Sequence, residues 1–298
     1  MARALFLGAG FSRWAANLPV ANELFDFAID VFGPRDAAKL QIVKELNGRW
    51  NSENPNGLAE QFIAHAMTLP AKLRQSVLWY ITRRLSEPFI WSEFHAQRYR
   101  RHVLMIDEDR HHEIPGVVRA QNFLQRFCGQ DLSGIVTTNY DMLPEYALGT
   151  RNFNYGDPGQ ALIGRGPYPV SVWKNPVRLT GSIRLAKIHG SVSWDLNGCY
   201  TDGRRGLTGQ ALIIAPTPEK EPPESLAHVW QLAEAILSPA TEVIVFGFAF
   251  NPYDEAVLRL LRACSANTKT VQLINTCPQP DRAKAIWPGA EIVCQQPP

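Results

Sequence analysis

At 298 residues, with 45% hydrophobic and 19% charged side chains, the chain can bury a full core and has the make-up of a soluble globular protein. A formal net charge of +2 offers no global field for nucleic acid or an anionic membrane surface, so direct nucleic-acid binding is not expected. No apolar run approaches the roughly 20 residues that span a bilayer, and the amino terminus lacks the basic segment and apolar core of a signal peptide; the expectation is a cytoplasmic protein without membrane contact.

The first element is an apolar strand from Arg3 to Leu7, which ends in the turn Gly8-Ala9-Gly10-Phe11-Ser12 and leads to a helical pattern from about Val20 to Phe32. From Asp36 to about Cys128 the apolar residues recur mostly at helical spacing, as in Leu58, Phe62, Ile63 and Ala66, which predicts a helical insertion or subdomain over 36–128. Strands are predicted at Gly134 to Thr138, Ile183 to Ile188, Ala211 to Ala215, Glu242 to Phe246, Thr270 to Ile274 and Glu291 to Cys294. Helices at about Glu224 to Leu237 and Tyr253 to Cys264 separate the later strands, the alternation that builds parallel sheets with right-handed crossovers. Loops are expected between Arg151 and Pro176 and from Asn197 to Gly209, where Gly, Pro, Asn or Arg accumulate. The fold class that follows is α/β, a doubly wound and mostly parallel Rossmann-like sheet with a helical insertion, read as one domain over 1–298.

The five cysteines are widely spaced and form no Cys-x-x-Cys pair, so neither a disulfide framework nor a cysteine zinc site is expected. Arg98, Arg100, Arg101, His102 and Arg110-His111-His112 form a basic cluster, but Glu93, Asp107, Glu108, Asp109 and Glu113 interleave with it, as on a solvated mixed-charge face. His111 and His112 are adjacent, unlike the i, i+4 pair that aims two imidazoles at one metal, and no metal is expected.

Five predicted strands end in glycine or polar groups. The turn Gly8 to Ser12 suits the close approach of a phosphate, with a helix amino terminus to attract it, although such turns also occur in sheets that bind nothing. Thr137-Thr138-Asn139-Tyr140-Asp141 brings two hydroxyls, a carboxamide and a carboxylate after Ile135-Val136; the alternative is that Asn139 caps a turn and Asp141 opens a helix from Met142 to Leu148. Lys187-Ile188-His189-Gly190 ends a further strand in a histidine, a residue type that is more often structural than catalytic when it stands alone. Gly247 follows Glu242 to Phe246, and Asn275 follows Thr270 to Ile274. In a doubly wound sheet all five lie on the carboxyl rim, where open α/β folds hold ligands.

In this order GAGFS, TTNYD, KIHG, VFGFAF and LIN resemble the NAD-binding core of the sirtuin-like superfamily, from Leu7 to about Asn275, most specifically in TTNYD and HG. The resemblance implies NAD as substrate. Gly8, Ala9, Gly10 and Ser12 would hold its phosphates and adjoining ribose, Phe11 and Thr138 would also belong to the cofactor-binding set, and Gly247 and Asn275 would contact phosphate or the adenine-side ribose. Asp141 would take the nicotinamide carboxamide, Asn139 the nicotinamide ribose or the attacking water, and His189 would act as general base. Cleavage of the nicotinamide–ribose bond passes through an oxocarbenium-like state, which needs a held leaving group, an oriented nucleophile and a weak base. Tyr140 and Trp194 are aromatic candidates to wall off solvent, or else core.

The chain departs from the deacylases of that superfamily in two places. The two Cys-x-x-Cys pairs of their zinc module are missing after His189-Gly190, where only Cys199 stands, and Ile213-Ile214-Ala215-Pro216-Thr217-Pro218 replaces the peptide-clamping Phe-Gly-Glu. Without that segment an extended acyl-lysine peptide has no strand edge to join. What is left resembles the zinc-less bacterial branch of sirtuin-like NAD hydrolases, whose members often deplete NAD in antiphage defence. That likeness implies NAD glycohydrolase activity, with sensing by a separately encoded sensor or ATPase partner or by homo-oligomerisation. The alternatives are an NAD-dependent deacylase or ADP-ribosyltransferase, and a non-enzymatic NAD-binding sensor. Residue types do not separate hydrolysis from cyclisation, which begin with the same cleavage.

Overall fold

The structure, a computed structural model, describes residues 2–27, 36–92, 101–107, 109–129, 131–156, 161–162, 177–195, 198–200, 209–215 and 224–298. In chain order, the strands of the main sheet are β1 (Arg3–Leu7), β2 (Leu132–Thr137), β3 (Phe153–Asn154), β4 (Ile183–Lys187), β5 (Glu242–Phe246), β6 (Thr270–Ile274) and β7 (Glu291–Gln295). The helices around them are α1 (Ala9–Ala16), α2 (Ala37–Glu53), α3 (Ala59–Thr68), α4 (Ala71–Ser86), α5 (Pro115–Gln125), α6 (Leu143–Leu148), α7 (Ala227–Leu237), α8 (Glu255–Ala263) and α9 (Pro280–Ile286).

The sheet order is β7-β6-β5-β1-β2-β4-β3, and every pairing is parallel. This is the doubly wound, Rossmann-like α/β architecture that the alternation of apolar runs and helices predicts. The central strands are continuous apolar runs because both of their faces are covered: Ala4 to Leu7 and Val243 to Phe246 are buried throughout. The winding reverses at β1, which leads forward to β2 on one side while β5 returns to its other side, so the crevice of the fold opens beyond the carboxyl ends of β1 and β5.

Parallel register brings those ends to one line. Leu7 is level with Thr137 and Phe246, Thr137 with Lys187, and Phe246 with Ile274. The ladders continue one residue further: Thr138 N–H donates to Leu7 O at 3.1 Å, Ile188 N–H to Thr137 O at 3.0 Å, Gly8 N–H to Phe246 O at 2.8 Å and Gly247 N–H to Ile274 O at 2.9 Å. Each segment after a strand end thus leaves the sheet at the same height.

Several sequence expectations change. The helix after β1 begins at Ala9, inside the glycine segment, so Gly8 to Ser12 is a helix start and not a turn that precedes one. Val20 leads instead into a single 3₁₀ turn, Ala21–Glu23, and residues 28–32 of the expected helix lie outside the described residues. The stretch 36–128 contains α2 to α5 as its periodicity predicts, but also a short antiparallel pair, Ile90–Ser92 with Arg101–Val103. Here α2, α3 and α4 pack on one another, whereas α5 packs on α1 and α6 beside the sheet. The run Ala211 to Ala215 yields only Leu212–Ile213, paired antiparallel with Gly190–Ser191 apart from the main sheet. Arg98 and Arg100, most of the expected loop 151–176, most of the loop 197–209 and Pro216 to Pro218 also lie outside the described residues.

Candidate active site

The site begins with contact between two glycine segments. Gly247 has a φ of +67°, which side-chain-bearing residues rarely adopt, and a Cβ there would stand 2.3 Å from Phe11 N. A Cβ on Gly8 would stand 2.6 Å from Gly247 O. The glycines thus let the backbone after β5 lie directly against the start of α1. Gly10 N–H donates to Gly247 O at 2.9 Å and Phe11 N–H to Gly8 O at 3.0 Å, so two amides at the helix start are engaged within the protein. Phe11 is fully buried against Phe123 and Phe246 and contributes only its backbone to this corner.

Asn139 ties the segment after β2 to that start. Its Nδ2 donates to Gly8 O and to Ser12 Oγ, both at 2.9 Å, while its backbone N–H is held by Thr137 Oγ1 at 3.0 Å. Both amide hydrogens are therefore committed, and Oδ1 is left as an acceptor. Ser12 bonds in turn to the Asp141 carboxylate, whose Oδ1 also accepts Leu143 N–H at 2.9 Å at the opening of α6. Helix opening, the plain reading of Asp141, is thus present in the geometry, and the turn-cap reading of Asn139 gives way to a cross-link between two strand ends.

Asp141 is buried, and burial raises its carboxyl pKa, opposed by the Lys187 ammonium and by the bonds from Leu143 and Ser12. Lys187, at the end of β4, is itself fully enclosed: Nζ bonds the Asp141 carbonyl and lies 2.7 Å from Glu145 Oε1, which also accepts Tyr155 O–H at 2.9 Å. This ion pair forms a floor behind the carboxylate.

His189 is 6% exposed, and a ring nitrogen bonds the Thr138 carbonyl. Burial pushes its pKa down to about 4, so the imidazole is neutral at physiological pH. Its neighbours hold it closely. Trp230 Nε1 donates to Ile188 O at 3.0 Å, and Gly190 sits at a φ of +81° with no room for a Cβ, which would lie 2.0 Å from Leu212 O. The short pair Gly190–Ser191 with Leu212–Ile213 therefore fixes the chain just past the histidine. Tyr140 has its ring 6.2 Å from the imidazole and donates to Ile214 O at 2.9 Å.

These groups share one cavity of about 920 Å³, within the range of small-molecule sites. Ala9, Gly10, Ser12, Thr138, Asn139, Asp141, His189, Gly247 and Asn275 line it, as does Tyr140, and α2 and α3 close the far side through Trp50 and Phe62. Gly8 and Phe11, also expected to contact the dinucleotide, are not among its lining residues. Asn275 Nδ2 donates to Phe248 O at 3.3 Å and its Oδ1 accepts Cys277 N–H at 3.3 Å, so this carboxamide holds its own turn. Trp194 is buried against Tyr155 at 4.9 Å, in T-shaped contact, which is the core reading. Among the described residues no group of three or more His, Cys, Asp or Glu is placed to hold a metal, and all five cysteines are free thiols.

Asp254 is among the lining residues that the sequence did not single out. Phe250, at a φ of +49°, turns the chain into the 3₁₀ turn Pro252–Asp254, capped by Asn251 Oδ1 accepting Tyr253 N–H at 3.1 Å. The turn delivers Asp254 to the cavity with Oδ1 3.6 Å from His189 Nε2. Burial, and then the Glu60 carboxylate, push its pKa up to about 7. An aspartate three residues after an Asn in a loop gives no local signal of this.

No family model and no curated protein matches the chain. Among solved structures it is similar to a mutant Sir2 homologue in complex with 2′-O-acetyl ADP ribose, at 12% identity and a TM-score of 0.37, over 98% of this chain and 85% of that one.

Proposed function

We propose that the chain is an NAD glycohydrolase that splits the nicotinamide–ribose bond to give nicotinamide and ADP-ribose. The observation that carries this reading is that Asn139, Asp141 and His189, the residues that match the sirtuin-like motifs, line one cavity beside the joined glycine segments at Gly8, Gly10 and Gly247. A volume of about 920 Å³ suits a dinucleotide. Asn139 Oδ1 is the acceptor that orients a water or a ribose hydroxyl, and the neutral imidazole of His189 offers a second acceptor beside it. Asp141 is held for the nicotinamide carboxamide, and Tyr140 covers the imidazole. By the same resemblance we assign the protein to NAD depletion in bacterial antiphage defence, triggered by a separately encoded partner or by self-assembly.

The test is nicotinamide release from NAD without any peptide, followed by chromatography. Asn139→Ala and His189→Ala are each expected to lower the rate by at least about 100-fold, the lower end of what a positioned acid–base group supplies. Release that survives both substitutions removes this site from the reaction. Release that appears only with an acylated or acceptor protein present favours a deacylase or ADP-ribosyltransferase, and tight binding without turnover favours a sensor.

A further inference from the structure

Asp254 is a polar group of the cavity that the proposed roles leave unused. Its Oδ1 is buried and, among the described residues, has no hydrogen-bond partner, an arrangement that costs free energy unless something arrives to use it. The 3.6 Å to His189 Nε2 is just beyond hydrogen-bond distance, and both residues line the same cavity. The position is also fixed, by the Asn251 cap, by the left-handed Phe250 and by Gln61 Nε2 on α3, which donates to Tyr253 O–H at 2.8 Å.

We infer that Asp254 is a catalytic residue of this site, the base whose carboxylate takes the proton from the attacking water while His189 holds that water in line. The inference rests on the NAD glycohydrolase reading. As the bond between the ribose carbon and nicotinamide breaks, its electron pair goes to the ring nitrogen and nicotinamide leaves neutral. A water oxygen bonds the ribose carbon, its O–H bond breaks, and the proton passes to the Asp254 carboxylate and then to solvent. The division of labour follows from the environment of each group. An imidazole held at about 4 is a feeble acceptor at neutral pH, whereas a carboxyl at about 7 is matched to it. The titratable groups that face Asp254 are Glu60 from α3, His189 after β4 and Tyr140 after β2, with Tyr253 beside it in its own turn; burial first, and then Glu60, hold its proton on.

The pH dependence of kcat for NAD hydrolysis tests this. The wild-type protein is expected to lose activity below pH about 7 along a single acid limb. Asp254→Asn, which keeps shape and suits a group already half protonated at neutrality, is expected to lower kcat by roughly 100-fold or more and to abolish that limb, with KM for NAD within about threefold. Asp254→Glu is expected to restore part of the rate and to shift the limb. An unchanged kcat and limb in Asp254→Asn overturns the inference. Histidine-selective NMR of the free protein supplies a readout that needs no turnover: the His189 ring signals should step near pH 7 and the step should vanish in Asp254→Asn. Absence of the step overturns the inference whether or not NAD is cleaved. A step in a wild-type protein that cleaves no NAD overturns the NAD reading and leaves the placement of a titrating Asp254 beside His189 standing.

Discussion

His189 and Asp254 are perturbed in opposite directions, and the signs have a consequence for stability. An imidazole lowered from 6.5 to about 4 contributes stability that is full above pH 6.5 and lost as pH falls toward 4, because the unfolded chain binds the proton first. A carboxyl raised from 3.8 to about 7 does the reverse: the unfolded chain releases its proton first, so stability falls as pH rises from 3.8 to 7. Between about pH 4 and 6.5 the two groups together hold one proton in the folded state, on Asp254, and one in the unfolded state, on His189. Their contributions to the pH slope cancel. Single substitutions should expose it. Relative to wild type, His189→Gln should lose stability as pH rises from 4.5 to 6.5 and Asp254→Asn should gain it, each by up to about 1.4 kcal/mol per pH unit. Urea unfolding at several pH values checks this, and parallel trends for the two variants would refute it.

At the scale of elements, the rim of the sheet holds the site and the buried pair Lys187–Glu145 holds the rim. Lys187 belongs to β4 and Glu145 to α6, and the ammonium also bonds the Asp141 carbonyl, so one cation joins the strand that carries His189 to the segment that carries Asn139 and Asp141. Removing one member leaves an uncompensated charge with no access to water. Lys187→Met should cost about 3–5 kcal/mol, and adding Glu145→Gln, which keeps an acceptor for Tyr155, should recover a substantial part. Thermal or chemical unfolding decides it; a double variant no more stable than Lys187→Met would mean the charge is not what is lost.

The rim was legible at this scale because β1, β2, β4, β5 and β6 are apolar runs that stop at glycine or polar residues, and parallel register levels their ends without further information. Asn139, His189 and Gly247 could be picked out for that reason. The helix start at Ala9 was not, since two glycines within three residues read locally as a turn. What makes them helical is the backbone of Gly247, more than 230 positions along the chain. Asp254 was hidden for the same kind of reason: its burial comes from α3, through Glu60 and the Gln61 bond to Tyr253. The two-residue strand β3 has too few residues to show a period.

For the molecule as a whole, the strand made first is the one in the middle. β1 pairs with β2 about 130 residues later and with β5 about 240 residues later, and the Arg3–Glu242 ion pair of 2.6 Å spans 239 positions. Such non-local pairing makes the centre of the sheet depend on the end of the chain. In refolding followed by pulsed hydrogen exchange, the amides of Phe6 and Gly8, which face β5, should gain protection together with those of Ile244 and Phe246; protection of Phe6 and Gly8 well ahead of β5 would contradict this order.

The contact of Gly247 with Gly8 and Gly10 sets the same dependence on the ribosome. At roughly 5–20 residues per second, about 10–50 s pass between the emergence of the two glycine segments, and until the second arrives the first has nothing to close against. A chain that ends before Gly247 therefore lacks the glycine contact that bounds the pocket. On the NAD-cleaving reading proposed above, a fragment that ends before Gly247 is expected to release no nicotinamide.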